Sequence, residues 1–353
     1  MPFARFTQAL ILSMVGLAAV QSGQAQTYTV LYTFKGRTDG ALPFGGLMRD
    51  SAGNLYGTTA GSLAGTTMGS VFKLSPSGKF NLLHNFGAGG SGGAAPYAGL
   101  IQNKAGSLFG TTSRGGSSDQ GIVFRLDKNA KFAVLHSFSG EKDGSDPIAT
   151  LILDPAGHLY GTTYLGGTPN CNPNNSVDCG AVFEVDSTTG REKVLHRFSS
   201  SRKDGDLPYG GVLRDAAGNL YGTTSLSGPG GFGTVFKLDS TGNETVLYAF
   251  QLQSGGIEPA AGLIQDTAGN FYGSTIGGAG NVYKLDPQGN ETVLHWFNGS
   301  DGSLPLGNLI MDSAGNLYGS ANRGGIYGPS CYDDLGCGTV FKFGSVGQPD
   351  CPL

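Results

Sequence analysis

The chain has 353 residues, 62 of them glycine and 16 proline, with 14% charged residues and a formal net charge of −4. Glycine and proline together stay below the roughly 25–30% share that marks disordered chains, and no Gly-X-Y period occurs, so an unstructured or collagen-like chain is excluded. The acidic balance excludes a basic nucleic-acid footprint, and the single Trp argues against a Trp-rich sugar-stacking platform.

Residues 1–25 read as a secretory signal peptide. Arg5 is their only charge, Ala9 to Val20 is an apolar run of twelve residues, and Gly23-Gln24-Ala25 supplies small residues for cleavage. The run is shorter than the ~20 residues of a membrane span, and no later segment is long enough to cross. The expectation is a bacterial protein that is secreted, extracellular or periplasmic, with no membrane span and a mature chain from about Gln26. The cysteines fit export: Cys171 with Cys179, and Cys331 with Cys337, are close enough to close short disulfide loops, which leaves Cys351 over.

From there the chain repeats. A heptad of the form Gly-Asn-Leu-Tyr-Gly-Thr-Thr occurs six times, starting at Gly53, Gly106, Gly157, Gly218, Gly269 and Gly315. Self-similarity at about fifty residues is the mark of a repeat architecture. Each unit holds four strand-like pieces in fixed order. In the first unit they are Gly46–Asp50, the heptad, Val71–Leu74 and Leu82–Phe86. All are short and rich in Val, Leu, Phe and Tyr, and none has helical length or period. Asp-Ser-Ala-Gly-Asn and similar turns join the first two pieces, and turns such as Ser-Pro-Ser-Gly join the last two. Each unit is therefore a four-stranded antiparallel meander.

The sixth unit ends at Phe343 without a fourth piece, while a spare copy, Val30–Phe34, stands before the first unit. A displaced strand of this kind is used by a closed ring, whereas an open solenoid would need capping repeats. The expected fold is all-β: a six-bladed β-propeller over residues 26–345, with residues 28–34 completing the last blade and 346–353 as a tail. Small residues before each first strand, such as Gly45-Gly46 and Gly210-Gly211, would let the backbones crowd around the axis.

With its Gly-Asn-Leu-Tyr-Gly-Thr-Thr, Gly-Thr-Val-Phe-Lys-Leu and Val-Leu-Tyr-x-Phe motifs, the mature chain from Thr27 to Phe343 resembles the GloVer tandem repeat of bacterial exported, choice-of-anchor proteins. The resemblance implies an exported, surface-directed, propeller-like protein and transfers no catalytic residue. Relatives often end in an anchoring segment. This sequence ends in Gly-Gln-Pro-Asp-Cys-Pro-Leu, and the expectation is release or loose cell association.

Ligands of propellers meet the loops from strand four to the next strand one, and from strand two to strand three. The first set carries Asp39, Asp143, Asp204 and Asp301, each in an Asp-Gly-x-x-Pro run, and proline recurs in all six copies. These acids could hold a divalent cation or a polyhydroxyl ligand, or could simply build the turn. Asp146 and Glu258, immediately before Pro147 and Pro259, break the pattern and are the better ligand candidates. In the second set, Tyr327, Tyr332, Asp333 and Asp334 form the richest polar–aromatic group, beside the cysteine loops. His84, His136, His196 and His295 share one position of the fourth piece, where Tyr32 and Tyr248 also occur, so they read as hydrogen-bonding aromatics between blades. Gly89–Gly93 matches a nucleophile pattern but lacks the strand-to-helix setting.

Three functions follow in order of preference. The first is a monomeric binding or adhesion module for a glycan or protein, without a resident cofactor. The second is an extracellular polysaccharide lyase or lactonase-like hydrolase. The third is a purely structural envelope protein.

Overall fold

The computed structural model describes residues 29–36, 39–61, 68–87, 92–168, 179–199, 203–252, 256–326 and 336–344. The chain divides into two compact units, Met1–Thr33 and Phe34–Leu353. Of the first, residues 29–33 are described and lie outside any strand. The second holds the whole repeat.

Phe34–Leu353 is a six-bladed β-propeller of antiparallel blades, with no helix among the described residues. Blade one is β1 (Met48–Arg49), β2 (Leu55–Thr59), β3 (Ser70–Leu74) and β4 (Phe80–Asn85). Blade two is β5 (Ile101–Gln102), β6 (Leu108–Thr112), β7 (Ile122–Leu126) and β8 (Phe132–Ser137). Blade three is β9 (Ile152–Leu153), β10 (His158–Thr163), β11 (Ala181–Asp186) and β12 (Glu192–Arg197). Blade four is β13 (Leu213–Arg214), β14 (Leu220–Thr224), β15 (Thr234–Leu238) and β16 (Glu244–Ala249). Blade five is β17 (Ile264–Gln265), β18 (Phe271–Thr275), β19 (Asn281–Leu285) and β20 (Glu291–Trp296). Blade six shows β21 (Ile310–Met311), β22 (Leu317–Ala321) and β23 (Thr339–Phe343).

The heptad leads from the turn into the second strand, and its Asn, Tyr, second Gly and first Thr each have a structural task. Its Asn and Tyr clamp the turn before it. In blade four the Asn219 amide N–H and side-chain amide donate to Asp215 at 2.8 and 2.7 Å, and the Tyr221 hydroxyl donates to the same carboxylate at 3.0 Å. The same clamp joins Asp50, Asn54 and Tyr56, then Asp266, Asn270 and Tyr272, then Asp312, Asn316 and Tyr318. Carboxylates that accept so many local donors are held below their ordinary range. The second Gly is a seat for an aromatic ring: a β-carbon on Gly222 would lie 2.5 Å from the ring of Phe236, and one on Gly57 would lie 2.6 Å from that of Phe72. The first Thr ties each blade to the next. The hydroxyls of Thr58, Thr162, Thr223 and Ser274 donate to the carbonyls of Ala98, Gly210, Ala261 and Pro305 at 2.7–3.1 Å.

The backbones do crowd at the axis. A β-carbon on Gly45 would lie 2.5 Å from the Ala98 carbonyl, and one on Gly210 would lie 2.5 Å from the Gly262 nitrogen. The third and fourth strands of all five complete blades are offset by a β-bulge that the alternation of the sequence does not announce. It leaves Leu83, Leu135, Leu195, Leu247 and Leu294 as the extra residue. A bulge re-aims the side chains beyond it. Here each extra Leu packs against a buried cluster shared with the following blade. Five such clusters fill the five successive interfaces. Across each of them the Phe just after the fourth strand meets the third-strand ring of the next blade, as in Phe86–Phe124 at 5.4 Å and Phe198–Phe236 at 5.1 Å.

The interface between the last and first blades differs. Among the described residues no buried cluster spans it. Val340 is 85% exposed, whereas its counterparts Val71, Val123, Val182, Val235 and Val282 are fully buried. Phe34, however, sits 5.2 Å from Phe72 with a 70° interplanar angle. That is the geometry adopted at the other five interfaces by the Phe just after the fourth strand. The sheet itself shows three strands among the described residues.

Candidate functional site

Two sets of polar groups stand out on this scaffold. The first lies at the outer strands. Asp143, Asp204 and Asp301 do not converge. Each pairs with the His of the fourth strand just before it: His136 at 3.1 Å, His196 at 3.4 Å and His295 at 2.8 Å. Each also closes its own loop, since Asp143 accepts from the Ser139 amide, Asp204 from the Ser199 hydroxyl and Asp301 from the Asn298 amide. Burial pushes the Asp143 carboxyl up, but the bonds from His136 and Ser139 outweigh it and hold it at about 2. Asp39 closes a loop in the same way, accepting from the Lys35 amide at 2.9 Å. His84 has no Asp in its loop and stacks on Phe132 at 4.0 Å instead; burial pushes its pKa down.

The second set lies where the loops meet the axis. The residue before each of the six prolines, Leu42, Ala95, Asp146, Leu207, Glu258 and Leu304, has φ between 51° and 60°. The left-handed region is costly for such residues. Backbone hydrogen bonds impose it. The carbonyl of each accepts from the residue just after the heptad, as in Tyr164 N–H to Asp146 and Ile276 N–H to Glu258, both at 3.0 Å. Five of the six amides donate to a loop carbonyl of the preceding blade, for example Asp146 to Gln120 at 3.2 Å and Glu258 to Phe232 at 3.1 Å. The fold therefore holds six side chains at fixed positions around one mouth. Four are apolar, and two are Asp146 and Glu258.

Aromatic rings stand in the same loops. The residue after the proline is Phe44, Tyr97 or Tyr209 in blades one, two and four. Phe44 lies 5.5 Å from Tyr97, and Tyr209 lies 5.7 Å, edge to face, from Tyr164. Phe44 is 63% and Tyr97 41% exposed, so this apolar surface faces solvent. Tyr164 is the hub. Burial pushes its phenol up, and Tyr209, Asp206, Asp146 and Glu258 add to the shift. Burial likewise raises Tyr209, with Tyr97 contributing. The Asp146 carboxyl is raised by burial, lowered in part by Arg114 and raised again by Asp119. Asp206 is raised by burial although Ser227 donates to it at 2.9 Å. Aromatic faces, phenol hydroxyls and carboxyls from five blades thus share one patch. Among the described residues no group of three or more His, Cys, Asp or Glu side chains is placed to hold a metal ion.

Two overlapping stretches, residues 18–173 and 171–348, match the Gloeobacter/Verrucomicrobia repeat. The chain belongs to this family. No curated protein matches it in sequence. A gluconolactonase from Xanthomonas campestris matches 81% of this chain and 84% of its own at 17% identity, with a TM-score of 0.47. A calcium-binding protein, regucalcin, from Agrobacterium tumefaciens matches 87% and 91% at 15% identity, with a TM-score of 0.49.

In this Gloeobacter/Verrucomicrobia repeat protein the sequence-predicted acids separate into two groups. Asp39, Asp143, Asp204 and Asp301 stay within their own loops, and Asp146 and Glu258 reach the mouth. Tyr327, Tyr332, Asp333 and Asp334 lie outside the described residues, as do Cys171 and Cys331, so the two cysteine pairings remain expectations. Their partners Cys179 and Cys337 are described, and Cys179 is buried. Sequence reasoning missed Tyr164, Tyr209, Tyr97, Phe44 and Asp206. The signal was present: Tyr164 follows a heptad where the other five copies carry Ala60, Ser113, Ser225, Ile276 and Asn322. No helix among the described residues is long and apolar enough to cross a membrane.

Proposed function

We propose that this chain is an exported binding module that takes a polyhydroxyl ligand, a glycan, at the mouth formed by Tyr164, Tyr209, Tyr97 and Phe44 with Asp146 and Glu258. The observation that carries this reading is the edge-to-face contact of Tyr164 with Tyr209 at 5.7 Å, beside three carboxyls, Asp146, Asp206 and Glu258, drawn from three loops. Aromatic faces cover the apolar face of a sugar ring, while phenols and carboxyls hydrogen-bond its hydroxyls, the division of labour common to small-ligand sites. The left-handed backbone is common to all six copies, so what marks Asp146 and Glu258 is the carboxyl each places where the other four place an apolar side chain. The signal-like residues 1–25 support export.

The test is binding of the full mature chain to an oligosaccharide array, followed by calorimetry on the best ligand. Tyr164→Ala and Tyr209→Ala are each expected to weaken binding by about tenfold or more, in line with removal of a central aromatic anchor. Asp143→Asn, at the outer strands, should bind as the parent does. Failure of every sugar to bind, or wild-type affinity in both Tyr variants, would remove this assignment.

A further inference from the structure

A third polar feature lies between the blades, and glycan binding makes no use of it. The fourth strands of blades three, four and five begin with Glu192, Glu244 and Glu291. In blades one and two the same place holds Phe80 and Phe132, and Phe132 stacks on His84 of the preceding blade. A carboxyl therefore occupies a slot that elsewhere takes an aromatic ring. In all three glutamates Oε1 is buried and, among the described residues, has no hydrogen-bond partner.

The facing groups come mainly from the preceding blade. Glu192 faces His136 and Asp143, with Arg197 on its own strand. Glu244 faces His196 and Asp204. Glu291 accepts from the Tyr248 hydroxyl at 2.6 Å and lies near Tyr283. At two successive interfaces the arrangement is thus an acid of one blade against a His–Asp pair of the other. In the third, Tyr replaces His and the loop Asp is absent.

We propose that the interfaces between blades two and three and between blades three and four are proton-operated latches, closed when Glu192 and Glu244 are neutral acids and loosened when they ionise. An ionised carboxylate in this slot would carry a buried oxygen without a donor, beside the carboxylate of Asp143 or Asp204. The neutral acid has no such charge to bury.

The direction of the pH dependence follows from the same geometry. Burial raises all three glutamates, and Glu244 is pushed up to about 7, with His196 lowering and Asp204 raising it further. A carboxyl whose pKa is higher in the folded chain contributes stability that is complete below its unfolded value and is lost as the pH rises through the folded one. For Glu244 that window runs from 4.5 to about 7. Asp143, held at about 2, acts in the opposite sense and is lost only at much lower pH. The propeller is therefore tightest in mildly acidic surroundings and looser above neutrality.

The experiment is equilibrium unfolding of the full mature chain at about pH 5.5 and pH 8, with Glu244→Gln, which fixes the neutral state, and His196→Gln. The parent is expected to lose about tenfold or more in its folded-to-unfolded ratio between the two conditions. Glu244→Gln should lose most of that difference by being more stable than the parent at pH 8. His196→Gln should keep the difference, with its midpoint moved upward. A parent profile that is flat or reversed, an unchanged profile in Glu244→Gln, or a profile abolished by His196→Gln would each overturn the proposal. Carbon-13 titration of the glutamate carboxyls in the parent decides the matter even where a variant fails to fold. A glutamate titrating near neutrality supports the latch, and ordinary values for every glutamate overturn it.

Discussion

The outer strands and the axial mouth are built from the same loop and yield opposite results. At the outer strands three copies agree: His136, His196 and His295 each meet the Asp of their own loop, and each pair is spent on closing that loop. At the mouth the backbone agrees just as closely, with six pre-proline residues at left-handed φ, but the side chains do not. Leu, Ala, Asp and Glu share one conformation there. A position whose side chain repeats with its backbone is building the repeat. A position whose backbone repeats while its side chain changes is free to be chosen for something else. That difference separates Asp146 and Glu258 from Asp143 and Asp301, although all four are loop acids only a few residues from a proline.

The comparison is broken most severely where the copies agree most. Gly222→Ala puts a β-carbon 2.5 Å from the ring of Phe236, which is fully buried. The backbone at Gly222 is not left-handed, so only packing opposes the change. A loss of roughly 2–3 kcal/mol is expected from overpacking, read by urea unfolding. Adding Phe236→Leu should recover part of it. If Gly222→Ala alone is neutral, the second glycine of the heptad is not a ring seat. The heptad would then be open again as a candidate ligand motif.

A smaller break lies at the outer strands. Asp143 is held at about 2, below its ordinary 3.8, so its contribution is present above 3.8 and is lost as the pH falls toward 2. Asp143→Asn is therefore expected to cost about 1 kcal/mol at pH 6, a figure reduced for the partial exposure of the pair. The gap to the parent should close near pH 2. Equal acid unfolding curves for parent and variant would show that the His136–Asp143 pair contributes nothing to stability, and the outer strands would lose their contrast with the mouth.

Much of this was readable in the sequence, for a physical reason. Blade number, strand order and the turns all follow from short-range chemistry, since Asp50 through Tyr56 form their clamp within seven residues. The bulge was not readable, because Leu83 keeps the apolar look of its strand while stepping out of register. Nor was the His–Asp pairing, which spans six to eight residues with a different loop length in each copy. The mouth was half readable. Asp146 and Glu258 announce themselves as departures from a pattern. Their meeting with Tyr164 and Asp206 depends on how separate blades are placed around the axis, which no local motif encodes.

Departure from the repeat is not by itself a mark of function, and Tyr283 sharpens that point. Five blades carry Phe at the third-strand ring position, and blade five alone carries Tyr. Tyr283 is fully buried, and its hydroxyl has no partner among the described residues; burial pushes the phenol well above its ordinary value. It lies far inside the interface cluster rather than at a surface that could meet a ligand. A buried hydroxyl without a partner costs about 1–3 kcal/mol of lost hydration, and its apolar isostere does not incur that cost. Tyr283→Phe should therefore be neutral or stabilise the chain by up to about 1 kcal/mol. The gain would show as a raised denaturation midpoint with an unchanged slope. Glycan affinity should not move. A loss of stability would mean that the hydroxyl is satisfied by buried water. A loss of binding would carry the ligand reading away from the mouth and into the blade interface.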